Sequence, residues 1–130
     1  MTVPALHAAL RSCAAGFYPC EAGTDLLINH ASWLHRHDFT GRFIDTGTSI
    51  TDGTTPMAEI DWANAITALN TGALPCSGSE QRILRLAASI ADGIPVNLRD
   101  ALTELDDRNI KLVLTAILHT SGHRPPPRIP

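Results

Sequence analysis

Ser77-Gly78-Ser79-Glu80-Gln81-Arg82-Ile83-Leu84-Arg85-Leu86-Ala87-Ala88-Ser89-Ile90-Ala91-Asp92-Gly93-Ile94-Pro95 is the stretch whose reading decides the fold. Ser77 and Glu80 stand three residues apart. At that spacing a serine hydroxyl and a glutamate carboxylate reciprocally satisfy the free backbone donors of a helix start. Ile83, Leu84, Leu86, Ala87, Ile90 and Ala91 then recur at helical spacing and make one apolar face. Gly93 and Pro95 close the helix, because glycine accepts the left-handed exit and proline cannot continue the ladder. A helix with one apolar side needs neighbours to cover it, and the flanking sequence supplies them.

Downstream, Asn97 can cap a short helix carrying Leu98, Ala101, Leu102 and Leu105. Asp106 can cap a last helix, with Ile110, Val113, Leu114, Ile117 and Leu118 expected inward and Gly122 at its exit. Upstream, Asp61 caps a helix whose Trp62, Ala65, Ile66 and Leu69 face the core, and Gly72 ends it. The chain opens with a helix from Pro4 to about Ala15, its face made by Leu6, Ala9, Leu10 and Cys13. Phe17-Tyr18-Pro19 reads as a connection to a second helix from about Glu21 to Arg36. Gly23 weakens the first turn of that helix and moves its expected start toward Thr24 or Asp25.

Residues 38–58 carry two readings. Phe39, Phe43 and Ile44 form one helical turn after Asp38, or Arg42 to Thr46 and Met57 to Ile60 pair as two short strands. The intervening Gly47-Thr48-Ser49-Ile50-Thr51-Asp52-Gly53-Thr54-Thr55-Pro56 is rich in turn formers and lacks helical periodicity. The expected fold is therefore all-α: a compact bundle of five to six helices with room for a short β-hairpin in residues 42–60. Residues 1–122 form one helical domain, and residues 123–130 a Pro-rich, flexible tail.

At 130 residues, with 44% apolar and 18% charged, the chain can bury a core without disulfides or a structural metal. Its net charge of −3 and the lack of any Lys/Arg run exclude a broad phosphate-binding surface. Lys111 is the single lysine beside nine arginines, a bias of GC-rich bacterial genomes. Three cysteines without motif spacing suit a reducing compartment. No basic segment followed by an apolar core opens the chain, and the longest apolar stretch, 112–118, is too short for a bilayer. The expectation is a cytoplasmic protein.

Candidate sites divide by chemistry. His35, His37 and Asp38 are the first place to look for a metal, since imidazole and carboxylate are zinc ligands. His30 and His35 stand five apart and so point to different sides of a helix, and His123 lies beyond Gly122, four residues after His119. Cys76 precedes a helix N-terminus, where a thiolate is favoured, and His119 would be its base. The carboxylates at Glu59/Asp61 and Glu104/Asp106/Asp107 are explained as caps and first-turn residues, and Trp33 and Trp62 as packing anchors. A helix-turn-helix in residues 79–120 would read DNA through Arg108, Asn109 and Lys111, against the acidic flank of Asp106 and Asp107.

The segment from Ser77 to Arg82 resembles the signature of ABC-type ATPases but has Ser79 where that family has its second glycine. The phosphate-cradling Gly-x-x-x-x-Gly-Lys-Ser/Thr loop is lacking, and the capping box accounts for the segment. Ile60-Asp61-Trp62, Leu74-Pro75-Cys76-Ser77 through Ala88-Ser89, and Leu102 through Asn109 resemble a group of small actinobacterial proteins of unknown function. This covers about half the chain. The resemblance implies bacterial origin and no particular activity. The sequence thus points to a non-enzymatic protein-interaction or regulatory module, with a protein partner or a homo-oligomer and without cofactor or membrane. A DNA-binding regulator and a small metal- or thiol-dependent enzyme are the alternatives.

Overall fold

The computed structural model describes residues 1–123, so the Pro-rich segment 124–130 lies outside the described residues. Local hydrogen bonding sets the helix starts. Thr2 accepts from the Ala5 N–H and opens α1 (Val3–Ala14). Asp61 does the same for α4 (Trp62–Asn70), Asn97 for α6 (Leu98–Leu102) and Asp106 for α7 (Asp107–Thr120). Ser77 and Glu80 complete the reciprocal cap of α5 (Gly78–Asp92), which Gly93 ends in the left-handed conformation.

The second helix departs from the expectation. α2 runs Tyr18–His30, because Pro19 sits in the first turn, where its missing N–H costs nothing. It stops at Ala31, whose φ of 81° breaks the ladder, and Trp33–His35 continue as one 3-10 turn. α3 (His37–Phe43) then leads directly into the hairpin β1 (Ile44–Thr48) and β2 (Pro56–Ile60). Helical turn and strands, posed as alternatives by the sequence, follow one another. The pairing is antiparallel, from Ile44 opposite Ile60 to Thr48 opposite Pro56. The loop between them is pinned by Asp52, whose carboxylate accepts from the Thr54 and Thr55 N–H groups and the Thr55 hydroxyl. The Thr55 hydroxyl, then the backbone donors, hold its pKa at about 2. The described residues therefore make seven α-helices and a hairpin, a mostly helical fold with α3 the helix beyond the expected count.

The core is organised around α2, which packs most extensively on α5 and α7 and also touches α1, while α1 lies across β2. Trp33, Phe39, Leu26, Leu27, Ile83 and Leu84 are among its fully buried large residues. Trp33 is fixed by its indole N–H, which donates to the Glu80 carbonyl at 2.9 Å, and by the Arg36 guanidinium 4.5 Å over its ring. Gly23, expected to weaken a helix start, lies inside α2 at its crossing with α5. A Cβ there would stand 2.5 Å from the Ala91 Cβ and 2.6 Å from the Ala87 carbonyl oxygen. Only glycine permits this approach. No helix among the described residues is long and apolar enough to cross a membrane.

Candidate functional site

α7 carries more large aliphatic residues than α2 can cover, so its rotation about its own axis decides what the surface presents. Three polar ties set that rotation. Near its start, Arg108 donates to the Asn29 carbonyl at 2.7 Å, receiving the C-terminal end of α2. Asn109, buried, donates to the Ser79 hydroxyl at 2.7 Å. Near its end, His119 Nε2 meets Glu21 Oε1 at 2.7 Å. With these in place, Asn109, Val113 and Ala116 face the core, while Ile110 (42% exposed), Leu114 (53%), Ile117 (47%) and Leu118 (37%) face outward. The expectation that these four point inward is thus corrected. Small and polar residues seat the helix, and the large ones are left over. On α6, Leu98 and Leu102 are also exposed, and Ala101 is the residue it buries.

The second feature is a cleft of about 200 Å³ where the end of α1 meets the start of α2 and the end of α7. Arg11, Glu21, Asp25 and His119 supply its charged lining. Glu21 accepts the Gly16 N–H at 2.8 Å on its other oxygen, and that bond first, then His119, holds its carboxyl below the usual range. Asp25 pairs with Arg11 at 3.1 Å and stands 3.9 Å from His119 Nδ1. The Tyr18 ring meets His119 edge-on at 6.0 Å between centroids. The lining holds no cysteine or serine, and its one hydroxyl residue, Thr24, is buried. What the arrangement does is join three helix ends. A larger groove of about 420 Å³ between α5 and α6 is walled by Arg82, Arg85, Gln81 and Asn97, with Asp100 in the same lining and Glu104 3.7 Å from Arg82.

The residues singled out in the sequence do not assemble into one centre. His35, His37 and Asp38 are all exposed, and Asp38 is taken by Arg36 in a two-pronged pair at 3.0 and 2.6 Å. No group of three His, Cys, Asp or Glu side chains among the described residues is arranged to hold a metal ion. Cys76 is half-buried against the core. Burial and then Glu80 push its thiol pKa up, so the helix start does not yield a thiolate there. His119 serves Glu21 instead. Burial likewise raises Cys13 and Cys20. Of the three residues proposed to read DNA, Arg108 and Asn109 are engaged inside the fold, which leaves Lys111. Trp33 and Trp62 are buried packing residues, as expected.

Glu21, Asp25 and Arg11 escaped the sequence reading. One signal was present: Glu21 and Asp25 are like charges four apart on one helix face, an arrangement that calls for cations from elsewhere. No family model, curated protein or solved structure matches this chain.

Proposed function

We propose that the chain is a non-enzymatic protein-interaction or regulatory module of a bacterial cytoplasm, docking through the outward face of α7. One observation carries this reading: Ile110, Leu114, Ile117 and Leu118 stay exposed on one side of a helix whose rotation polar ties fix. Aliphatic residues scattered singly on a surface need no explanation, but four gathered on one side of a helix form the kind of apolar patch that often serves an interaction. The three free thiols suit a reducing compartment. Bacterial origin rests on the arginine bias and on the resemblance to the small actinobacterial group.

Leu114→Glu tests the reading. Because Leu114 is half exposed, the charge should change folding stability by no more than about 0.5 kcal/mol. Association, followed by native mass spectrometry and by co-purification from the source cell, should be lost. A variant that unfolds would show that Leu114 belongs to the core. A folded variant with association intact would remove α7 from the function.

A further inference from the structure

Arg82 and Arg85 stand one turn apart on α5, and both line the groove of about 420 Å³ between α5 and α6. Like charges at that spacing repel, and neither guanidinium can shed its proton to relieve the repulsion. The fold offers them little in return. Arg85 is half-buried, and its side chain has neither an ion-pair nor a hydrogen-bond partner among the described residues. The Arg82 side chain is only 25% exposed, yet its one partner, Glu104 at 3.7 Å, is 78% exposed. A pair with one member in water gains little. Asp100, in the same lining, is exposed and has its chain neighbour Arg99 at 3.9 Å. Two guanidiniums against the Asp100 carboxylate leave one positive charge over in a partly enclosed space, where charges are normally matched.

We infer that the groove is a binding site for a small molecule that presents one oxyanion group, carboxylate or phosphate, to Arg82 and Arg85. This site is separate from the α7 face and does not depend on it. Guanidinium forks take the oxygens of both groups in pairs. Neutral donors stand beside them. Gln81 precedes Arg82 in the lining, and Asn97 spends its Oδ1 on the Asp100 N–H, which leaves its Nδ2 to donate. Pro95, Val96 and Ala101 give the groove an apolar side for the rest of the ligand, and its volume is that of a small-molecule pocket. A polyanion is not the ligand, because no run of Lys or Arg extends the positive charge beyond the groove. Glu104 is the competitor that the ligand displaces from Arg82.

Amide NMR shifts of the full chain, titrated at low salt with benzoate, phenyl phosphate and the uncharged benzamide, test the proposal. At least one of the two anions should saturate with a Kd below about 1 mM, and benzamide should not. The shifts should centre on residues 81–85 and 95–101. Whichever anion binds more tightly assigns the group as carboxylate or phosphate. Arg85→Gln should weaken binding at least about 10-fold, and Arg85→Lys, which keeps the charge but loses the fork, should recover only part of it. Glu104→Gln should tighten binding about 2–5-fold by removing the competitor. Thermal melts check that the variants fold, and if Arg85→Gln does not, Arg82→Gln carries the same expectation. The proposal is overturned if neither anion saturates below about 10 mM. It is overturned equally if benzamide matches benzoate, if the shifts centre elsewhere, or if folded arginine variants bind as wild type does. Unchanged affinity in Glu104→Gln would place the anion away from Arg82 and overturn the two-arginine site.

Discussion

Replacing Gly23 with alanine inserts one methyl group where α2 crosses α5, and the structure fixes the sign of the result. Carbon atoms pack at about 3.5–4.0 Å. The new Cβ would stand 2.5 Å from the Ala91 Cβ, 2.6 Å from the Ala87 oxygen and 3.0 Å from the Ala91 nitrogen. None of these atoms is the end of a flexible side chain, so relief requires the two helices to separate by about 1 Å along the most extensive contact in the fold. Overpacking of this kind costs about 3 kcal/mol when backbone must move, and alanine returns about 1 kcal/mol through its better helix propensity. The expected net loss is about 2 kcal/mol, a large share of the roughly 5–15 kcal/mol that holds a domain folded. In urea this lowers the midpoint by about 1 M. Gly41, inside α3 with nothing within 4 Å of its would-be Cβ, supplies the control: Gly41→Ala should raise stability by about 0.5–1 kcal/mol. Ala91→Gly should cost less in the Gly23→Ala background than in wild type, because it removes the shortest of the three contacts. A Gly23→Ala protein with a midpoint at or above that of wild type would refute the close crossing of α2 and α5.

Three further expectations follow from single residues. His30 is buried with its Nδ1 unpaired. Burial, then the Arg108 charge, lowers its pKa, so it stabilises the fold fully above its unfolded value near 6.5, and that contribution is lost as pH falls toward the lowered one. The urea midpoint should therefore drop between pH 7 and 5 and drop less in His30→Gln; equal slopes would remove His30 from the effect. Trp33→Phe deletes the bond to the Glu80 carbonyl and weakens the Arg36 contact, and should cost about 2 kcal/mol in the same assay, with a loss below 0.5 kcal/mol counting against the bond. Ala31 occupies positive φ at the end of α2, so Ala31→Gly should stabilise by about 1 kcal/mol, and a destabilised variant would contradict that backbone geometry.

What the sequence revealed was local. Asp61, the Ser77–Glu80 pair, Asn97 and Asp106 cap helices through bonds three residues long, and each cap was legible from spacing alone. The exits at Gly72, Gly93 and Gly122 were legible for the same reason, all three having positive φ. What was hidden depends on distant partners. Periodicity defines an apolar stripe on α7 but not which part of it faces inward, and that choice is made by Ser79, Asn29 and Glu21, 30, 79 and 98 residues away. Gly23 looked like a weakness because Ala87 and Ala91 are remote in sequence. His35, His37 and Asp38 looked like a cluster because nearness in sequence does not show that Arg36 already holds the carboxylate.

The place of α2 at the centre of the fold also bears on how the chain is made. It leaves the ribosome before its two largest partners, α5 and α7, and Glu21 waits 98 residues for His119. At synthesis rates of about 5–20 residues per second, that wait lasts roughly 5–20 s. Until α5 is complete, Leu26, Leu27 and Ile28, all buried in the finished protein, lack the helix that covers most of α2. A chain paused in this interval leaves that apolar surface uncovered, so codons that slow translation between α2 and α7 should lower the yield of folded protein.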